Sequence, residues 1–447
     1  MTTILTEEQL KARKEEVRKE EIRQNVKSNC TKICDGIRQN DTTSGERAIW
    51  ELFQNARDLS YSAYPAEIKI TLTDKEFVFA HKGKAFTFDS LCSLVKQVSS
   101  HSKEDDKSVG QYGTGFLTTH KFGRKITING SMLINENPKV YVDVSNFEIN
   151  RENFEDISKF IDDMTNQIKA VEDLMDAEQM STPREWTEFH YELDEKRTTI
   201  ATKAIEQAIN FMPYVLTFND HIGSCTIENN YHTISFRKED KTTSIDELIC
   251  KRIVKSEDGH SVNIDCYYLE LHNGDSRILL PLKNETEVYD FGDVPRLFVH
   301  FPLIGENYFN VNFLFHSHRF IPEEKRDNII VPKDNDATTS IVENNKVILD
   351  AMTQYLWDFL EAHVHTWSNA ILMASINIKD SGFTGKETNE YYKELKEGWV
   401  KEFQKLKLIE IDGRRYSMND EVHPFVLESS LESFLSDNPE KGYLDTI

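Results

Sequence analysis

The string Glu51-Leu-Phe-Gln-Asn55-Ala-Arg-Asp58 constrains this chain more than any other stretch. It carries an acid, a carboxamide and a second acid at i, i+4 and i+7, which a helix brings to one face. Ile49, Leu52 and Phe53 recur at helical spacing around it. An acid held in such apolar surroundings is unfavourable unless it pairs, binds metal or carries out chemistry. Downstream, Gly110-Gln111-Tyr112-Gly113-Thr114-Gly115-Phe116 reads as a glycine-rich loop that opens a helix.

These residue types suit phosphoryl transfer from a nucleotide. Glu51 can orient and polarise an attacking water. Asn55, one turn on, can offer a hard oxygen to Mg²⁺, an ion that keeps several of its waters. Asp58 can hold water or orient Asn55 from behind. Gly110, Gly113 and Gly115 let backbone N–H groups approach phosphate, and a helix running from Phe116 to Phe122 would point its positive end there. Taken singly, a polar helical trio and a G-x-x-G-x-G loop are commonplace; the ordered combination is specific. The chain has no G-x-x-x-x-G-K-[ST] and no strand–G-x-G-x-x-G–helix start, which sets aside P-loop and Rossmann readings.

Glu51-x-x-x-Asn55-Ala56-x-Asp58, then Gly83, then Gly110-x-x-Gly113-x-Gly115-Phe116 resembles the GHKL (Bergerat-fold) ATPases over about residues 40–195. The match looks closest to their chaperone-like, heat-shock protein 90-like branch, with sacsin N-terminal-type bacterial ATP-binding proteins. His81-Lys-Gly83-Lys-Ala85-Phe86 is similar to that branch's His-x-Gly-x-x-Phe motif. The resemblance implies ATP and Mg²⁺ as ligands, Glu51 as the catalytic acid and Asn55 as the metal ligand. It places Asp58, His81, Gly83, Gln111, Tyr112, Thr114, Phe116 and the three loop glycines around the nucleotide. Thr187, in Trp186-Thr187-Glu-Phe, matches the family threonine that reaches adenine through water. The family usually has aspartate where His81 stands. A neutral imidazole can accept from the adenine amine less selectively, or the base is held through water. Trp186 replaces a family glycine and would narrow the pocket rim. Residues 99–109 would form the lid, with Ser99, Ser100, Ser102 and Lys103 either touching phosphate or lying in a solvated loop. In relatives a basic residue of the following transducer domain reaches the γ-phosphate; Lys325 and Arg326 are the candidates here, against a reading as solvated loop charges.

The expected fold class is α+β: a Bergerat-fold ATPase α/β sandwich, a transducer-like α/β domain with a right-handed βαβ arrangement, and a small α+β C-terminal region. The expected boundaries are 1–39 for an N-terminal helical segment, 40–198 for the ATPase domain with an acidic helical insertion at 153–180, 199–378 for the transducer-like domain and 379–447 for the rest. Ala66 to Thr73 alternates at period two, Asp74-Lys75 turns, and Glu76 to Ala80 follows as a second strand. Residues 6–39 read as a charged helix with an apolar stripe (Leu10, Val17, Ile22, Val26, Ile33, Ile37) that packs on its own domain or on a partner subunit. Thr43 or Ser44 can cap the helix that follows. A helix over 199–216 is expected to end near Pro213, Asn273-Gly274 marks a hairpin turn, and a further helix spans roughly 340–375.

An apolar fraction of 38% with 26 Phe and 16 Tyr in 447 residues supports real cores. A net charge of −23 does not indicate direct nucleic-acid binding by the bulk surface. The six cysteines lack any C-x-x-C pair, and buried reduced thiols fit them better than zinc. The pairs His316/His318 and His363/His365 have metal-like spacing but no acidic or Cys partner at a telling distance. No signal peptide opens the sequence, and no apolar run approaches the roughly 20 residues that span a bilayer, so a cytoplasmic protein without membrane contact is expected.

The expected activity is ATP hydrolysis driving a conformational switch: the lid closes on ATP, two chains dimerise or a partner protein is engaged, and a downstream domain or partner responds. A role in defence against invading nucleic acid follows only by analogy with bacterial relatives. The alternative is a non-hydrolysing nucleotide-sensing scaffold, against which Glu51 argues. A histidine kinase fits less well, for want of a phosphoacceptor helix pair.

Overall fold

The computed structural model describes residues 7–40, 45–61, 63–97, 115–230, 232–305, 308–323, 326–334, 339–411 and 413–420. The chain is α+β and divides into two units, Met1–Glu239 with Ile253–Asn263 and Asp240–Arg252 with Ile264–Ile447. The first unit therefore extends beyond 198 and takes in the helix that follows.

In the first unit the elements are α1 (Glu7–Asn40), α2 (Ala48–Asp58), β1 (Ala66–Leu72), β2 (Glu76–His81), β3 (Phe86–Thr87), α3 (Phe88–Lys96), α4 (Gly115–Thr118), β4 (Lys125–Glu136), β5 (Lys139–Asn150), α5 (Ile157–Leu174), β6 (Gln179–Met180), β7 (Thr187–Glu192), α6 (Glu195–Phe218), β8 (Ile222–Asn229) and β9 (His232–Lys241). The sheet runs β9-β8-β1-β2-β7-β4-β5-β6. β1 pairs parallel with β8 and antiparallel with β2, and β2 pairs antiparallel with β7. Ala66, Ile68, Ile70 and Leu72 turn to the core while alternate residues face out, as the period-two pattern requires. α2, α3, α5 and α6 pack on the sheet.

Val26, Cys30, Ile33, Cys34 and Ile37 seat the second half of α1 on its own unit, where the Cys30 thiol contacts the Phe160 carbonyl and Met164. Val17, earlier in the stripe, is 48% exposed. α5 is no appendage: Phe160, Ile161, Met164 and Val171 are buried against α1, α3 and β5.

Two local expectations fail for identifiable reasons, and a third falls outside the described residues. α6 runs through Pro213 to Phe218, because burial of Ala208, Met212, Val215 and Leu216 outweighs a proline cost of ~3 kcal/mol. The helix expected over Phe116–Phe122 is one α turn, α4, followed by a 3₁₀ turn at Thr119–Lys121. The hydroxyls of Thr118 and Thr119 donate to the carbonyls of Gly115 and Phe116, each at 2.7 Å, and so compete for the helical acceptors. Such a short turn carries little macrodipole, so the phosphate role expected of this helix end loses its basis. Finally, α2 is entered through a 3₁₀ turn at Gly45–Arg47 without a side-chain cap, and Thr43 and Ser44 lie outside the described residues.

The second unit holds β10 (Ile249–Glu257) and β11 (His260–Leu271), whose adjoining ends, Ile253–Asn263, belong to the first unit. It continues with β12 (Ser276–Leu279), β13 (Leu282–Asn284), β14 (Glu287–Val288), β15 (Leu297–Val299), β16 (Phe301–Pro302), β17 (Phe309–Val311), β18 (Leu314–Ser317), α7 (Thr339–His363), β19 (Ile376–Ile378), α8 (Lys386–Lys405), β20 (Ile409–Ile411) and β21 (Arg414–Tyr416). β11-β12-β18-β15-β16 form its main sheet. The β11–β12 hairpin turns at Asn273 and Gly274, both at positive φ, as the sequence signals. The parallel pair β15–β18 is joined through β16 and β17 with no helix, so the expected βαβ arrangement is absent from the described elements of this unit. Its core gathers Trp357, Trp367, Trp399, Phe309, Phe313 and Phe315. No described helix is long and apolar enough to cross a membrane.

Candidate active site

α2 presents the polar trio from a helix whose other faces are anchored. Ala48, Ile49, Leu52, Phe53 and Ala56 are buried, and the Trp50 indole N–H donates to Gln207 on α6 at 3.1 Å. Glu51 is only 8% exposed, while Asn55 and Asp58 are half-buried. The Asp58 carboxylate takes an ion pair from Arg57 at 2.9 Å. Burial pushes the Arg57 guanidinium below its ordinary range, and Asp58 opposes that shift.

Gly115 faces the acid directly. A Cβ there would stand 2.1 Å from Oε2 of Glu51 and 2.8 Å from its carboxyl carbon. The backbone at Gly115 is not in the left-handed region, so space rather than twist demands glycine. Gly115 and the acid of α2 therefore meet at one place.

The far end of α2 meets the second motif. The Lys84 N–H donates to the Leu59 carbonyl at 2.7 Å, tying the 82–85 loop to the helix end. A Cβ on Gly83 would lie 2.7 Å from that carbonyl and 3.3 Å from Nδ1 of His81, so the loop closes over both only with glycine. His81 ends β2 fully buried, and neither ring nitrogen finds a hydrogen-bond partner among the described residues. Burial pulls its pKa down to about 4, which keeps the ring neutral at physiological pH. Across the β2–β7 ladder its register partner is Thr187. The rings of His81 and Phe189 lie 6.3 Å apart, nearly parallel, and Phe116 stands 5.9 Å from Phe189. Trp186 lies beneath the Lys82 ammonium, 5.0 Å from the ring centre, while that ammonium pairs with Glu67 at 3.1 Å and Glu185 at 2.7 Å.

The structure thus gathers Glu51, Asn55, Asp58, His81, Gly83, Gly115, Phe116 and Thr187 around α2, the end of β2 and the start of β7. Ser99, Ser100, Ser102, Lys103, Gly110, Gln111, Tyr112, Gly113, Thr114 and Lys325 lie outside the described residues. Arg326 belongs to the second unit, at φ 50°, with its N–H donating to the Glu323 carbonyl at 2.8 Å.

Gly130 escaped the sequence reading. A Cβ on it would meet the Thr187 hydroxyl at 3.3 Å, so this strand glycine lets β4 pass close behind Thr187. The signal was an isolated glycine within a strand pattern. Arg151 was missed too. Fully buried, it donates to Gln167 at 2.9 Å and to the Val95 carbonyl at the end of α3.

All six thiols are free and buried. Among the described residues no group of three or more His, Cys, Asp or Glu could hold a metal ion. His316 is buried, its Nδ1 accepting the His300 N–H at 3.2 Å. A Mg²⁺ bound through one carboxamide, water and phosphate needs no such cluster. No protein-family model matches the chain, and no curated protein matches it.

Proposed function

We propose that the first unit binds ATP with Mg²⁺ and hydrolyses it, in the manner of a Bergerat-fold ATPase, and that the cycle acts as a conformational switch on a second copy or a partner. The observation that carries this reading is the Glu51 carboxylate lying against Gly115, at the meeting of the acid helix and the glycine loop.

Glu51 orients the attacking water and accepts its proton. Asn55 offers the carboxamide oxygen to Mg²⁺, which neutralises phosphate charge when bound. Without a Cβ, the backbone at Gly115 comes up against the Glu51 carboxylate, so a phosphate held by that backbone would meet the acid. His81 and Thr187 meet the base. A buried imidazole without a partner is unfavourable, and a base that hydrogen-bonds to it relieves that penalty.

The test is a parallel measurement of nucleotide affinity and turnover for wild type, Glu51→Ala and Asn55→Ala. Glu51→Ala keeps binding and loses turnover; Asn55→Ala loses Mg²⁺-dependent binding. Equal turnover in all three sinks the reading. Binding without turnover in the wild type would favour the non-hydrolysing nucleotide sensor instead.

A further inference from the structure

We propose that the groove between α7 and α8 in the second unit binds an amphipathic organic cation, an alkyl chain ending in a guanidinium or ammonium group. The groove encloses about 360 Å³, within the range of small-ligand sites. Its floor is aromatic, formed by Trp357, Tyr391 and Trp399, with the two tryptophan rings 4.8 Å apart at 69°. Its walls are acidic, with Asp350 on α7 and Glu394 and Glu402 on α8.

Lys405 pairs with Glu402 at 2.6 Å, so Asp350 and Glu394 are the carboxylates left facing the groove, with Lys346 the lysine in its lining. The other lysines of α8 near them are engaged elsewhere: Lys393 with Glu397 at 3.9 Å and Lys396 with Asp380 at 2.8 Å. Among the described residues Asp350 and Glu394 have no cation at ion-pair distance. An apolar floor flanked by unanswered carboxylates fits a side chain that lays its methylenes on the rings and its charge between the acids.

One further feature leaves room for an occupant. Gly398 sits inside α8, where glycine is the poorest helix former after proline. A Cβ on it would meet nothing within 4 Å, so no close packing calls for glycine. What its bareness does is keep the wall open between Glu394 and Glu402, which lie two turns, or about 12 Å, apart.

The probe is N-acetyl-arginine amide, titrated against the full chain by calorimetry and followed by tryptophan fluorescence, beside its neutral isostere N-acetyl-citrulline amide. The arginine compound binds and the citrulline compound does not. Agmatine, the same cation without a backbone, binds equally if the natural occupant is a free cation and more weakly if it is a side chain of a polypeptide; either result supports the site. Glu394→Gln weakens the arginine compound about five-fold, the loss expected of one partly exposed charge contact. Gly398→Leu fills the groove and abolishes binding while the melting temperature holds or rises, since leucine favours the helix. Equal binding of the two isosteres, undiminished binding to Gly398→Leu, or no binding of the arginine compound at millimolar concentration overturns the proposal.

Discussion

Oε2 of Glu51 stands 2.1 Å from the point a Cβ of residue 115 would occupy. The two residues cannot both keep their places if position 115 gains even a methyl group. Gly115→Ala is compatible with the backbone there, so the strain falls on the acid, whose carboxylate end is the movable part. The expected outcome is a fall in turnover of at least ten-fold, because a misplaced water-orienting acid loses its alignment. The melting temperature should shift by only a few degrees. A variant that turns over ATP at the wild-type rate would show that the acid's position does not matter.

His81 sets stability against binding. Among the described residues neither nitrogen of its neutral ring finds a side-chain partner. Replacing it with Phe removes the polar atoms and keeps an aromatic ring beside Phe189. The variant should gain about 1–3 kcal/mol of stability, the penalty of an unsatisfied buried group, and lose nucleotide affinity. Thermal melts and nucleotide titration of the same preparation check both halves. A stabilised variant with unchanged affinity would remove His81 from the pocket.

Acid should weaken the first unit through two histidines. Burial holds His81 at about 4 and His120 at about 3, both well below the ordinary imidazole value near 6.5. Each ring takes up a proton on unfolding that it cannot take up when folded. Their contribution is complete above roughly pH 6.5 and is lost as pH falls toward 4. By pH 5 each should have withdrawn about 2 kcal/mol relative to pH 7.5. Chemical denaturation at the two pH values tests this, and in His81→Phe the difference between them should be smaller. An identical pH difference in that variant contradicts the assignment.

How much of this was legible follows from where each signal resides. β1 and β2 were readable because one face of each strand is buried and the other is not, which writes period two directly into Ile68, Ile70, Phe77 and Phe79. The expectation that Glu51 and Gly115 share a site rested on the ordered combination of the two motifs, since neither is specific alone. The end of α4 was not readable, since it depends on which carbonyl the Thr118 and Thr119 hydroxyls choose. The path of α6 through Pro213 was not either, since tertiary burial overrode a strong local signal. Gly130 and Arg151 act through neighbours distant in sequence, Thr187 and Val95: an isolated strand glycine marks a close approach without naming its partner, and nothing local marks Arg151.

Arg151 ties the body of the first unit to the end of α3, the helix that leads toward the glycine loop. Its guanidinium is fully buried and donates to Gln167 on α5 and to the carbonyls of Asn150 and Val95, with the Phe160 ring 5.5 Å away. Burial draws its pKa down to about 10, yet at neutral pH it remains charged and held by neutral acceptors. Arg151→Met keeps much of the stem but leaves the Gln167 side chain and the Val95 carbonyl without a donor. The expected loss is about 2–4 kcal/mol, the range for breaking a buried charged network. Because Val95 lies in the last turn of α3, hydrogen exchange should rise first at that helix end and along the facing stretch of α5 around Gln167. If the variant unfolds uniformly, with α3 no less protected than β1, then Arg151 is a generic core residue and does not secure the approach to the glycine loop.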